Sequence, residues 1–441
     1  MFLETHATWR RNAAVILLAL LLGGEIAALG ANGAVLAAIA SVAEIAIAMI
    51  VLLLIAPDTL FWRRAAPVLL LAMAMPIWLL LPVILPDMFR AAPPHPVPDL
   101  LLPGLARWMG GLAVLVTGAC IGYRRGLMRI ALFAILFAGL VTLAIGVVFR
   151  QISPDVVWGQ SIGILAGRYT GTLLNANSAG CLAGALAMLT IGCLLDNLRR
   201  SMMGPNSLPT VLVRVLLLIG LILSLAAVGA SGSRAVMALC FVILVVIVAA
   251  DDLLWRLLRG WTGIIYLVVT AVVVGILALT VGELTFDRLF ELRGDSIDRT
   301  RIWLAYWEAA KASPWIGYGP LSFDQVTMRQ MLDVQTAREL WYVHAPHSVI
   351  LSLLVTGGWP YLLLMTLTGS LMATRIARAG VTKRQDPMLR GLVAALVLIL
   401  LCAQVDIQLD VPALVSFTVA LLALAWGRAL RTSPEDALQT G

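Results

Sequence analysis

Charge is what this chain has least of. Only 12% of its 441 residues are Asp, Glu, Lys or Arg, while 61% are apolar; a soluble globular domain carries about 25% charged residues. That shortage excludes an ordinary water-soluble fold. It points to a bilayer, where hydrocarbon offers the backbone no partners and a helix of roughly 20 apolar residues is the simplest spanning unit. Histidine is scarcer still, with four in all. The five cysteines, Cys120, Cys181, Cys193, Cys240 and Cys402, fall in apolar runs without paired spacing, which argues against disulfides and structural zinc and for apolar packing. No basic cluster is interleaved with exposed aromatics, so the net charge of +7 is not a nucleic-acid signal.

What is present is a series of long apolar runs. Twelve read as spans, at about 12–31, 33–56, 65–86, 104–122, 128–149, 176–195, 211–230, 234–250, 261–282, 346–373, 389–407 and 411–428. With the N-terminus inside, every inside segment is basic: 19 of the 31 Lys and Arg lie there, and nine Asp or Glu gather outside between Glu283 and Glu339, as the positive-inside rule requires. The excess of basic residues is thus topological, and both termini are expected to be cytoplasmic. The first run is long and leads into further spans, so it reads as a membrane helix rather than a cleaved signal. The expected fold is an all-α polytopic membrane protein. Residues 1–282 form about nine spans, 283–345 a small helical cap on the outer face, and 346–441 about three more spans with a cytoplasmic tail.

Three outward segments are longer than the other connections. Residues 86–103 are proline-rich and read as an extended cover, and residues 150–175 form a second segment. In the third, Ile302, Trp303, Tyr306, Trp307 and Ala310 recur at helical spacing between Ser296 and Ser313, and Pro314 follows as a stop. A second amphipathic stretch runs from Leu321 to Leu340, joined to the first by the turn-rich "SPWIGYGP". No internal repeat is visible, which disfavours a repeat-built transporter.

Ionisable groups near the outer face stand out against this background. Arg168, Arg234, Arg299 and Arg301 are each expensive near hydrocarbon unless paired. Singly they read as snorkelling or ion-paired side chains; together they offer planar donor forks suited to a diphosphate. Arg299 and Arg301 lie about 200° apart on a helix, so one of them faces such a site. Asn175 and Asn177 precede an apolar helix, either as caps or as part of an anion site at a helix N-terminus. Pro346 suits the first turn of the tenth span, which would put His347 at the positive helix end, where neutral imidazole is favoured and a general base is available. His344 and His347 supply only two ligands and no third histidine is near, so a metal is not expected. Glu25 and Glu44, inside the first two spans, are left without a role.

The series "RYTGTLLNAN", "SGSR", "RTRIWLAYWEAAKASPWIGYGPLSF" and "HAPHSVILSLLVTGG" resembles, in order and spacing, the O-antigen ligase and polymerase superfamily over residues 165 to 365. The most specific part is Arg299-x-x-Ile-Trp, then Pro-x-x-Gly-x-Gly, then His and a helix ending in Gly-Gly. The family usually has His-Asn where this chain has His347-Ser348, and often a second histidine two residues earlier, whereas His344 is three earlier. The resemblance implies a membrane-embedded glycosyltransferase of the lipid-phosphate-sugar (GT-C) class in the bacterial inner membrane, with its active site facing the periplasm. The donor would be a glycan on undecaprenyl diphosphate and the acceptor lipid A-core, or another lipid-linked glycan in the polymerase branch. His347 would act as base. Arg234 and Arg299 would stabilise the departing diphosphate, with Arg168, Arg301, His344, Asn175 and Asn177 binding substrate. No cofactor is implied, and no metal is needed if the arginines do this work, consistent with a first outward loop, around Ala31 to Gly33, that has no carboxylate. The rival from another class is a transporter or flippase for a lipid-linked oligosaccharide, which should bind at mid-membrane in broken helices.

Overall fold

The computed structural model describes residues 2–85, 98–124, 126–153, 155–163, 167–202, 207–253, 260–261, 268, 292–381 and 386–431. Helices dominate it. The first five are α1 (Phe2–Ala27), α2 (Ala34–Ile55), α3 (Thr59–Ile84), α4 (Pro98–Tyr123) and α5 (Leu127–Ile152). A two-stranded hairpin, β1 (Val156–Val157) and β2 (Gln160–Ser161), lies in the second outward segment. Then come α6 (Ala176–Met202), α7 (Leu208–Ser231) and α8 (Arg234–Ala250), followed by α9 (Leu292–Ala312), α10 (Phe323–Gln330) and α11 (Val334–Leu340), and finally α12 (Val349–Ile376), α13 (Pro387–Cys402) and α14 (Pro412–Arg431). The helix ends follow local chemistry. Asp58 caps α3 by accepting from Phe61 N at 2.8 Å, Gly232 closes α7 with φ 61°, and Asp386 caps α13 ahead of Pro387.

Eight of these helices are long and apolar enough to cross a membrane, and α8 and α13 are shorter apolar helices. Among the described residues the count of twelve spans is therefore not reached. α1 carries Arg10, Arg11 and Glu25 along its length, and 261–282 lies almost wholly outside the described residues. Several boundaries also move. α4 starts at Pro98 rather than 104, so the end of the expected proline-rich cover is helical, while 86–97 lies outside the described residues. α12 starts at Val349, three residues after Pro346, because Ser348 rather than Pro346 holds the cap position. α13 stops at Cys402, so 403–411 is a loop ending in the short turn Gln408–Asp410 instead of the tail of a span.

α6 and α14 are the central helices, with 89% and 78% of their apolar windows buried. They pack closely because small residues line their contacts, the usual solution where lipid gives no hydrophobic drive between helices. A Cβ on Gly122 of α4 would lie 2.2 Å from the Leu424 carbonyl oxygen of α14, and one on Gly427 would lie 2.1 Å from the Ala119 oxygen. Between α6 and α13, a Cβ on Gly192 would come within 2.9 Å of Gly391 Cα. Backbone cannot retreat as a side chain can. Gly122→Ala is therefore expected to lower the melting temperature in detergent by an amount matching about 1–3 kcal/mol of overpacking. Gly111→Ala, on the same helix where a Cβ meets open space, should leave it unchanged.

The helices α9 to α11 form one small layer with its own core. Ile302, Tyr306, Ala310, Tyr318, Val326 and Leu340 cluster with Leu354 and Val355 of α12. Pro314 follows the first of these helices, but the stretch from Leu321 to Leu340 is two helices, broken where Asp333 starts a capping box with Thr336. The layer is bolted to α12 at a kink. Gly357 (φ −147°) and Gly358 (φ 71°) interrupt the helical ladder, and the "SPWIGYGP" loop takes up the freed groups. Tyr318 N donates to Val355 O at 2.7 Å, Gly319 N to Thr356 O at 3.0 Å and Trp359 N to Pro314 O at 2.8 Å. Trp78 of α3 donates to Gly357 O at 2.9 Å. The Gly-Gly pair does not end the helix; it bends it around the loop.

Candidate functional site

The loop after α13 carries a carboxylate to the mouth of the bundle, where four elements converge on it. Asp406 is 5% exposed. Its Oδ1 accepts from the backbone N–H of Ile407 at 2.8 Å and lies 3.2 Å from His347 Nδ1. Its Oδ2 accepts from Asn177 Nδ2 at 2.5 Å and from Arg299 Nη2 at 3.3 Å. Asn177 in turn accepts from Arg168 Nη2 at 2.9 Å, and Arg168 Nε donates to the Ser231 carbonyl at 2.8 Å. α6, the 167–175 turn, α9 and the His347 loop are thus organised around one buried acid.

His347 is held by its backbone more than by a helix. Its φ of 54° puts a non-glycine residue in the left-handed region, a conformation that persists only where neighbours impose it. The neighbours are here: Trp303 Nε1 donates to the His347 carbonyl at 3.2 Å, and Val349 N donates to Ala403 O at 2.8 Å. The imidazole precedes the Ser348 cap, so His347 lies just outside the helix end at which it was expected. The Asp406 carboxylate is the nearer group. Nδ1 and Oδ1 are within ion-pairing distance but misaligned for a hydrogen bond, leaving Nδ1 without such a partner. With Nδ1 turned towards a carboxylate, Nε2 is the nitrogen left to receive a proton. At 28% side-chain exposure, the ring is within reach of a substrate.

Burial raises the affinity of Asp406 for a proton, yet His347 beside it and the Arg299 guanidinium outweigh that and hold its carboxyl below the ordinary range. Its neighbour Asp410 behaves oppositely. Burial pushes it from 3.8 to about 6 despite Arg107, a hydrogen bond from Ser352 and the His347 ring, and Asp406 adds to the rise. Between these two values the native state keeps a proton that the unfolded chain has released, so this group erodes stability as pH climbs from about 4 to 6. Asp410→Asn removes that slope. Melting curves at pH 4.5 and 7.5 should show the variant gaining on the parent at the higher pH; a constant gap would mean that Asp410 is ionised throughout.

Arg299 and Trp303, one turn apart, share the face of α9 that meets His347 and Asp406. Arg301 projects elsewhere and pairs with Glu339 at 2.5 Å on the exposed side of the cap. His344 also turns outward, with Nδ1 2.9 Å from Asp324 and 76% of its side chain exposed. Asn175 caps α6, accepting from Ser178 N at 2.9 Å. Arg234 opens α8, two residues after Gly232, on the turn whose Ser231 carbonyl receives Arg168. Sequence reading missed Asp406, which it had counted as part of a span, and Arg150, which steadies the Arg168 turn by donating to Gly167 O at 3.0 Å and Ala230 O at 3.3 Å. The signal for Asp406 was its charge: two acids four residues apart in "VDIQLDVP" are improbable inside hydrocarbon.

No curated protein matches the chain. Arg168, Asn177 and Asp406 fall outside residues 219–366, a stretch of about a third of the chain that runs from α7 through Arg234, Arg299 and His347 to the glycine kink. Residues 219–366 match the family model described as O-antigen ligase, and over that stretch the chain is similar to that family.

Proposed function

We propose that the chain is an inverting glycosyltransferase of the ligase type, moving a glycan from undecaprenyl diphosphate to lipid A-core at the periplasmic face of the inner membrane. The observation that carries the reading is one buried carboxylate shared by a histidine and an arginine, with Arg168 one hydrogen bond away. A base and cations are what transfer from a diphosphate needs. His347 Nε2 takes the proton of the acceptor hydroxyl as its oxygen bonds to the anomeric carbon, and the bond from that carbon to the diphosphate breaks in the same displacement. The diphosphate leaves with the electron pair. Arg299 and Arg234, with Arg168 behind them, stabilise the charge it acquires. The imidazolium so formed faces Asp406, which offsets its charge until the proton is released to water. Arg301 and His344, paired on the cap surface, are not assigned to this step.

The orientation follows from the inside arginines. A reporter fused after Asp333 should respond as periplasmic and one after Lys383 as cytoplasmic; the reverse at either position would place the site on the wrong side for this donor. The direct test is product analysis with purified protein, undecaprenyl-diphosphate-linked glycan and lipid A-core without added metal, beside His347→Ala. Glycan on lipid A-core from the native chain alone supports the ligase. Longer lipid-linked glycan with lipid A-core untouched makes it a polymerase with the same site. Vectorial movement of donor with no new glycosidic bond would sink the enzyme reading.

A further inference from the structure

α14 begins beside Asp410 and ends about 30 Å away, at 1.5 Å per residue for its 20 residues. At that far end lies a cavity of about 250 Å³. Five arginines line it, Arg124, Arg129, Arg200, Arg428 and Arg431, supplied by the ends of α4, α5, α6 and α14. Two carboxylates share the space. Asp196 is 2.8 Å from Arg200 and 3.4 Å from Arg129, and Asp386 pairs with Arg428 while capping α13. Among the described residues that line it, five arginines face two carboxylates around a concave space. Two helices, α5 and α13, also start at its wall, so their positive ends add to the field. Arg124 donates to the Ile55 and Ala56 carbonyls at 3.1 and 2.8 Å and keeps a buried Nε without an acceptor.

Arginines gathered at the inner boundary of a bundle would ordinarily snorkel outward to separate headgroups. Here Arg129 and Arg200 meet at Asp196 and Arg428 pairs with Asp386 around one cavity, whose lining gathers more guanidiniums than carboxylates and suits a further anion. We propose that this cavity binds a phosphate group, the chemistry shared by an anionic phospholipid headgroup and free phosphate. The volume is below the range for drug-sized ligands, about 300–1,000 Å³, and suits a headgroup. Guanidinium forks match phosphate oxygens in pairs. The site is separate from the His347 site and rests on none of the function proposed for it.

The test is native mass spectrometry of the full chain in detergent, titrated with phosphatidylglycerol, with phosphatidylcholine of the same acyl chains, and with phosphatidylglycerol in the presence of inorganic phosphate. The native chain should retain one phosphatidylglycerol in preference to phosphatidylcholine. Arg129→Gln with Arg200→Gln should weaken that retention about tenfold or more, since each lost charge-assisted contact is a substantial part of such an affinity. Asp386→Asn, which removes a competing carboxylate, should tighten it, and this arm decides the matter if the double variant fails to fold. Competition by millimolar inorganic phosphate would identify free phosphate as an occupant; its failure to compete would identify the lipid. Equal retention of both lipids, or phosphatidylglycerol held unchanged in both variants, overturns the proposal.

Discussion

Asp406→Asn is expected to lower glycan transfer by about 10³- to 10⁴-fold while leaving the chain folded. In other Asp-His pairs the isosteric amide keeps the geometry but favours the wrong imidazole tautomer, at a cost of about 10⁴. Here it also removes the charge that holds Arg299 at 3.3 Å. His347→Ala should cost about 10²- to 10⁴-fold, the range for a lost general base. Because both changes disable one unit, the double variant should be no slower than the slower single one. Transfer to lipid A-core, measured as initial rates at saturating donor for the four proteins, tests this directly. Rates that multiply in the double variant would mean that Asp406 acts apart from His347, through Arg299 or Asn177 alone.

Gly358→Val has the largest expected structural effect. A Cβ there would lie 2.4 Å from the carbonyl oxygens of both Pro314 and Trp315, at a φ of 71° that a β-branched residue cannot hold. The loop must then let go of the kink, and with it the bonds from Tyr318, Gly319 and Trp359. Each backbone bond contributes about 1 kcal/mol net, so about 3 kcal/mol is lost before any packing is counted. Limited proteolysis should cut the variant between residues 312 and 347 at protease levels that leave the parent intact. Gly369→Val, on the same helix where a Cβ would meet nothing, is the control. Similar resistance in both variants would mean that the kink does not anchor the cap.

Much of this was legible in composition and pattern. Apolar runs of sufficient length located the helices, since a backbone in hydrocarbon has few other choices. Helical spacing between Ser296 and Ser313 located α9, which runs from Leu292 to Ala312. The choice between Arg299 and Arg301 was reduced to one without being made, because spacing shows that two residues oppose each other but not which neighbour waits on either side. Asp406 was hidden for a different reason. Hydropathy averages over a window, so one acid flanked by valine and isoleucine is absorbed into its surroundings. The extension of α4 back to Pro98 was hidden by proline itself, whose tolerance in the first turn of a helix looks in sequence like a loop. The glycine motifs were visible as motifs, but their complementarity needed three dimensions.

The clamp around α12 fixes more than position. Its first residue, Val349, lies two after His347, whose carbonyl Trp303 holds, and the same cap grips the helix again at Val355 to Trp359. The segment between these grips is a ruler. Inserting one residue into it would advance one end by about 1.5 Å and turn it by about 100°, and neither grip can slip to absorb the change. The link at Met331 and Leu332, between α10 and α11, carries no such constraint. Length variation is therefore tolerable there and forbidden between residues 349 and 357, although both stretches lie within the same few turns of chain.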